Sequence, residues 1–438
     1  MESQTATRPS SPPRPQVVIV GGGFGGIECV KKLDGADADV LLVDRNNYHL
    51  FTPLLYQVAS SLLNPSDIAY PLRKLLRGSR NLRFRRSTVT DIDLDGKYLT
   101  TADGHRIDWD VLVLAAGSES NFFGNGEIAE RSIGLKNLDE ALQLRNHILS
   151  CLDQASRATD PEEIAAWLTF VIVGGGPTGV EYAGALAELF RLVLRAEYPE
   201  LIGHSPRIVL VEAMDRLLPP FDPRLGAYAE KVLTRLGVEV MTGVRVEGAT
   251  DSEVRLSGVE PAGEVEIASR TLVWAAGVRP TDLAGEVEAE KSRSRRLRVD
   301  EFLRLDGRND VYAIGDLASV DQDGQELPML SPPAMQAGRY VARRILAGLR
   351  RKGSKKPFRY KDKGTMAVIG RNAAVAEVGA LRLTGFIGWL AWLGLHLYYL
   401  VGFRNRLAVM ISWGFNYLKA DRPVRLITRA KAAPLADA

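Results

Sequence analysis

An α/β fold of two Rossmann-like dinucleotide-binding domains, followed by a C-terminal membrane-associating helical region, is predicted by three observations. The apolar run Val17–Val20 closes on Gly21-Gly22-Gly23, and 153 residues later Phe170–Val173 closes on Gly174-Gly175-Gly176. After each run come a helical stretch and a second apolar strand ending in an acid, Asp44 in the first case and Glu212 in the second. Residues 383–403 carry no Asp, Glu, Lys or Arg. The 438 residues also exceed the roughly 250–300 that one core usually holds, so more than one domain is expected.

The composition, 46% hydrophobic and 25% charged, is that of a globular protein. A net charge of +3 gives no argument for nucleic acid. Basic residues thicken at Arg350-Arg351-Lys352, at Lys355-Lys356 and from Arg404 onward. Those clusters read either as polar loops or as contacts to anionic lipid. Cys29 and Cys151 lack CxxC spacing, which excludes a disulfide framework and fits a reducing compartment. Both are expected as small core residues. Residues 1–15 are rich in Ser, Pro and Thr with no apolar run, and they read as a disordered tail rather than a signal peptide. The bulk of the chain is therefore expected on the cytoplasmic side.

In the first glycine turn each residue has a steric task. Gly21 makes the tight turn, Gly23 lets backbone approach a pyrophosphate, and Gly26 lets the following helix, read over 26–34, pack close. The helix N-terminus offers free N–H groups to the anion. Asp44 lies 18 residues beyond Gly26, placed to accept from a ribose hydroxyl. The second turn is Gly174-Gly175-Gly176-Pro177-Thr178-Gly179, with Glu181 two residues on. Its gap to Glu212 is longer because an extra helical piece, Arg191–Tyr198, and a loop intervene. Glu212 either pairs with ribose hydroxyls and repels a 2′-phosphate, favouring NADH over NADPH, or simply faces solvent.

Three further apolar runs end in small residues: Val111–Gly117, Leu272–Gly277 and Val311–Asp316. Gly315-Asp316 follows the complete second unit, so the chain returns to finish the first. An NAD domain inserted in an FAD domain, the glutathione-reductase-like arrangement, is expected. Asp316 then meets the flavin ribityl chain or phosphate, and a helix over about Pro333–Leu349 aims its N-terminus at the flavin ring. The expected boundaries are 16–120 for the first part of the FAD domain, 121–165 for a helical linker and 166–290 for the NAD(H) domain. Residues 291–354 complete the FAD domain, and 355–438 form the C-terminal region.

With these residues in view, the chain from Gln16 to about Ile427 resembles the type II NADH dehydrogenases, the NADH:quinone oxidoreductases. Two stretches carry the resemblance beyond the glycine turns. One is Tyr48–Ala59, similar to the family's segment along the flavin; the other is Gly385–Arg406, similar to its membrane-binding C-terminus. The resemblance implies FAD and NADH as cofactors, a membrane quinone of menaquinone, ubiquinone or plastoquinone type as acceptor, and a homodimer. It places Glu181 and Gln336 at the reacting groups; the alternatives are a helix-start carboxylate and a structural residue at the flavin edge. Many members have Gln-Gln-Gly where this chain has Gln336-Ala337-Gly338, a departure in the quinone-site pattern. Expected cofactor contacts are Gly21, Gly23, Phe24, Gly25, Gly26, Asp44, Arg45, Pro53, Gln57, Val89, Ala115, Gly117, Gly315, Asp316, Gln336 and Ala337 for FAD. For NADH they are Gly174, Gly176, Pro177, Thr178, Gly179, Glu181, Glu212, Ala276 and Gly277. No metal is expected. Sulfide:quinone and disulfide reductases need redox cysteine pairs, which Cys29 and Cys151 do not supply.

The uncharged stretch 383–403 would just span a ~30 Å bilayer core at ~1.5 Å per residue. Glycines at 385, 388, 394 and 402 and the central His396 argue against a span. Two interfacial helices, aromatics down and Arg404 and Arg406 at the headgroups, fit better, and a buried hairpin or dimer contact is the third reading. The functional expectation is an NADH:quinone oxidoreductase, monotopic on the cytoplasmic face of the membrane. A soluble acceptor or a redox-switch role is the alternative.

Overall fold

The computed structural model describes residues 14–351, 356–419 and 422–428. Residues 1–13 of the expected tail, and Lys352 and Lys355 of the basic clusters, lie outside the described residues. The chain forms two compact units. The first is Met1–His49, Pro71–Ser118 and Arg279–Asp362; the second is Leu50–Tyr70, Glu119–Val278 and Lys363–Ala438.

In the first unit β1 (Gln16–Val20) runs into α1 (Phe24–Lys32) and β2 (Asp39–Asp44), with β1 and β2 parallel at Val17↔Val40. The chain then contributes α2 (Leu55–Ala59) to the second unit. It returns for β3 (Leu82–Arg86) beside β2 and β4 (Val111–Leu114) beside β1.

The second unit opens α3 (Leu138–Arg157) with a capping box between Asn137 and Glu140, which satisfies the first free amides of the helix. Then come β5 (Thr169–Val173), α4 (Pro177–Glu197), β6 (Arg207–Glu212), α5 (Pro223–Arg235), β7 (Val238–Thr242) and β8 (Thr271–Trp274). The parallel order is Ile133–Gly134, β8, β5, β6, β7. The piece expected at Arg191–Tyr198 is the continuation of α4 and not a separate helix. No Gly or Pro interrupts the run from Leu186 to Pro199, and its Ala, Leu and Glu favour helix.

The chain closes the first unit with β9 (Val311–Ala313) beside β4 and α6 (Ser331–Leu349) against α1. Both faces of this sheet are buried, as parallel sheets require. Val17 and Ile19 pack with Val30, Val341 and Ile345, while Val18 and Val20 pack with Ile92, Leu99 and Leu317.

The expected boundaries follow the chain, whereas the units cut across it. Residues 50–70 and 119–165 group with the second unit, because α2 packs on α3 and α4 and Ile133–Gly134 pairs with β8. The C-terminal block is also not purely helical. The antiparallel strands β10 (Thr365–Gly370), β11 (Ala373–Val378) and β12 (Leu381–Thr384) precede α7 (Gly385–Tyr399) and α8 (Phe403–Lys419).

Candidate active site

The first glycine turn is built as its sequence demands. Gly21 has φ +108°, and a Cβ there would lie 2.2 Å from the Ala115 carbonyl oxygen. At Gly26 a Cβ would lie 1.9 Å from the Gly21 carbonyl oxygen, so the start of α1 closes onto the turn only without a side chain. Gly23 is exposed and faces open space, the cradle a diphosphate needs. The Gly22 N–H donates to Asp44 Oδ2 (2.5 Å) and the Asn46 N–H to Oδ1 (2.6 Å). Burial raises the Asp44 pKa, and these two amides pull it back. The buried His49 ring meets the Gly22 carbonyl through Nδ1 at 2.9 Å and packs edge-on to Phe24. Burial lowers the His49 pKa to about 4, so the ring is neutral and Nδ1 carries the donated proton.

The second turn repeats this construction. Gly174 has φ +110°, and at Gly179 a Cβ would lie 1.8 Å from the Gly174 carbonyl oxygen. Gly176 faces open space. The Gly175 N–H donates to Glu212 Oε2 (2.6 Å) and the Met214 N–H to Oε1 (2.7 Å). Glu212 is therefore fixed at the strand end, with a lone pair left on each oxygen for ribose hydroxyls. Thr178 and Gly277 are exposed, and Pro177 and Ala276 half-buried, along the same rim.

The remaining expected FAD contacts of the first unit divide. Gly315 has φ +70°, and Asp316 accepts from the Ser118 hydroxyl next to Gly117. Arg45 is exposed and Val89 half-buried. Gly25 and Gly338 bring α1 and α6 together, since a Cβ at Gly338 would lie 2.1 Å from the Gly25 carbonyl oxygen. Ala337 is buried in that core. The Gln336 amide is held by backbone: Nε2 donates to the Lys361 carbonyl (2.9 Å) and Oε1 accepts from its N–H (3.0 Å).

In the second unit one face of α4 lies along β10. Glu181, Gly184, Ala185 and Glu188 share that face by the helical period. Glu181 Oε1 accepts from the Val368 N–H at 3.2 Å, and Glu188 accepts from the Arg371 N–H. At Gly184 a Cβ would lie 1.6 Å from the Ile369 carbonyl oxygen, so helix and strand touch backbone to backbone. Beside this face is a pocket of about 550 Å³, part of it open to solvent, lined by Tyr56, Gln57, Glu181, Glu188, Trp389, Trp392, Trp413 and Arg422 among others. Gln57 links Tyr56 and Trp413: its Nε2 donates to the Tyr56 hydroxyl (2.8 Å) and its Oε1 accepts from the Trp413 indole (2.7 Å). Burial raises the Glu181 pKa to about 8, and the Val368 amide offsets part of that rise. Glu181 is a buried acid on a pocket wall, not an exposed helix-start carboxylate. The structure thus brings Glu181 and Gln57 together. Gln336 belongs to the first unit, and Pro53, half-buried in the short helix Thr52–Leu54, to the second. Sequence reasoning missed Tyr56, Trp392, Trp413 and Arg422 as lining residues.

The family model of pyridine nucleotide-disulphide oxidoreductases matches residues 15–338. A type II NADH:quinone oxidoreductase of Mycobacterium tuberculosis is 38% identical over 99% of this chain and 94% of its own. A second from the same organism is 39% identical over 95% and 90%. The chain belongs to the type II NADH:quinone oxidoreductases. A Plasmodium falciparum NDH2 structure in complex with NADH superposes at TM-score 0.86, with 20% identity, 95% of this chain and 100% of that one covered. The sulfide:quinone oxidoreductase of Aquifex aeolicus shares the fold at TM-score 0.70, with 17% identity over 94% of this chain and 96% of that one.

As a type II NADH:quinone oxidoreductase the chain is an FAD- and NADH-dependent enzyme, and both cradles fit those groups. Its thiols do not fit sulfide chemistry. Cys29 and Cys151 are both buried, and burial pushes Cys29 up to about 12 and Cys151 to about 11, so neither forms a thiolate near neutral pH. Among the described residues no helix is long and apolar enough to cross a membrane. Yet α7 and α8 expose Phe386, Ile387, Leu390, Tyr398, Phe403, Met410, Ile411, Phe415 and Leu418. Arg404 and Arg406 are both exposed beside them, and Arg406 also donates to the carbonyls of Tyr398 (2.9 Å) and Leu400 (2.8 Å).

Proposed function

We propose that NADH is held at the second-unit cradle and FAD at the first, and that the quinone is reduced in the Glu181 pocket. The net reaction is NADH + H⁺ + quinone → NAD⁺ + quinol. When bound, FAD supplies the hydride acceptor at N5 that links the two substrates. The residues of the chain bind, orient and move protons. Gly174–Gly179 and the start of α4 hold the NADH diphosphate, and Glu212 takes the ribose hydroxyls. Gln336, on the helix expected to face the flavin, is the second residue proposed at the reacting groups. Glu181 carries a proton at neutral pH, hands it to a quinone oxygen and regains it from solvent, which is the work of a general acid with a pKa near 7.

The observation that carries this reading is a buried carboxyl on the pocket wall. It stands on the helix that begins at the NADH cradle. The exposed apolar faces of α7 and α8, with Arg404, fit helices lying in the interface. This makes the enzyme monotopic, delivers quinone from the lipid and leaves the cradles on the cytoplasmic face. Part of the apolar face is proposed to pair two copies.

Stopped-flow mixing separates the half-reactions. In Glu181→Gln, reduction by NADH is expected to stay within about twofold, while reoxidation by quinone slows about 10²–10⁴-fold, the usual worth of a general acid. In the wild type quinone reduction should fall as pH rises through about 8, and the variant should lose that step. Reoxidation by quinone at the wild-type rate in Glu181→Gln removes the pocket from the mechanism. A chain cut at residue 380 should lose quinone reduction on membranes; full activity there favours a soluble acceptor.

A further inference from the structure

The pocket wall also carries a buried guanidinium for which the sequence gives no motif. Arg422 is 1% exposed. Its Nη2 donates to Glu188 Oε2 at 2.9 Å and, at 3.4 Å, to the Ala185 carbonyl. Its Nε and Nη1 are buried and have no hydrogen-bond partner among the described residues. Guanidinium donors withdrawn from water and left unmatched are costly, and an apolar side chain of the same size would remove that cost. Glu188 pairs with Nη2 through Oε2, and its Oε1 is taken by the Arg371 amide, so it leaves Nε and Nη1 unsatisfied. Arg422 thus lines the pocket with two donors left unmatched, and Glu181 lines it as a buried acid.

We propose that Arg422 is the anchor for the acceptor, donating from Nε and Nη1 to a quinone oxygen. The proposal rests on the reading of this pocket as the quinone site. Two consequences follow from the chemistry. A fixed cation stabilises negative charge on the acceptor oxygen when electrons arrive before protons, as donors aimed at a developing charge do. Among the described residues the two donors have no acceptor until the pocket is filled, so the enzyme is less stable empty than a version with an apolar residue at 422.

The test uses the full-length, FAD-loaded enzyme in lipid vesicles, with short-chain menaquinone and ubiquinone analogues as probes. Arg422→Met is paired with Glu188→Gln so that no carboxylate is left unpaired, and Ala185→Phe blocks the pocket. The double variant should melt at a higher temperature than the wild type without quinone, and it should lose the upward melting shift that quinone gives. Its kcat/KM for quinone should fall about 10- to 100-fold, mostly in KM, the size expected for one or two lost charge-assisted hydrogen bonds. Reduction by NADH serves as the control for an intact fold. A double variant that keeps quinone kcat/KM and the quinone-induced shift within twofold, while Ala185→Phe abolishes quinone reduction, overturns the role of Arg422 and leaves the pocket assignment standing. If Ala185→Phe also reduces quinone normally, the pocket assignment itself fails.

Discussion

The two cradles share a skeleton and differ in how it is braced. In both, the first glycine is left-handed, the last lies against the carbonyl of the first, and an acid at the strand end takes the N–H of the middle glycine. The carbonyl of that middle glycine is satisfied differently. In the first cradle it meets the His49 side chain at 2.9 Å; in the second it accepts the Leu218 backbone N–H at 2.8 Å. The parts fixed by sterics recur, and the brace is free to vary. One consequence is that the first loop rests on a titratable ring, while the second is braced by a backbone amide.

The strongest way to break the parallel is to add one methyl to each turn. Gly26→Ala should yield enzyme without FAD, seen as loss of visible absorbance in the purified protein. Gly179→Ala should keep FAD but lose about 100-fold in kcat/KM for NADH, since overpacking at a carbonyl costs ~1–3 kcal/mol. Loss of FAD in both variants would mean the cradles do not act separately. Next in size is Glu212→Arg, which exchanges a ribose acceptor for a phosphate partner. It should move the NADPH/NADH preference by about 10- to 100-fold, and an unmoved ratio takes Glu212 out of the site. The smallest effect concerns the brace. The neutral form of His49 is the one favoured by folding, with a pKa near 4 against 6.5 unpaired. Its contribution is therefore complete above about pH 6.5 and is lost as pH falls toward 4. His49→Gln, able to donate to the same carbonyl, should flatten FAD release across that window and cost less than about 1.5 kcal/mol at pH 7. An unchanged acid profile would show that the ring does not brace the loop.

The cradles were legible in the sequence because their constraints are local. A glycine with a carbonyl 2 Å from its missing Cβ and an acid at the next strand end leave a mark within thirty residues. The second acid was readable despite its longer gap. The pocket was far less legible. Tyr56 and Gln57 come from one excursion, Glu181 from α4, Val368 from β10, Trp392 from α7, and Trp413 and Arg422 from beyond it. Tyr56 and Trp392 lie inside the two resembling stretches, but in sequence they read as a core and a membrane-face residue, and only Glu181 and Gln57 were singled out as site residues. The strands β10–β12 left the weakest trace: they are short, they turn at Asn372 (φ +63°), and the aromatic run after them dominated the composition.

The contact between α4 and β10 sets a rule for how this chain can change. Glu181, Gly184 and Glu188 meet consecutive parts of one strand, each about a turn apart. Inserting or deleting one residue between Gly179 and Glu188 would swing everything after it by about 100°. That would leave the nucleotide turn intact and face the pocket with the wrong side of the helix. Substitutions along this stretch can be accepted one at a time, whereas a change in its length cannot. The second glycine turn and the pocket are thus inherited together, through the residue count between two points on one helix.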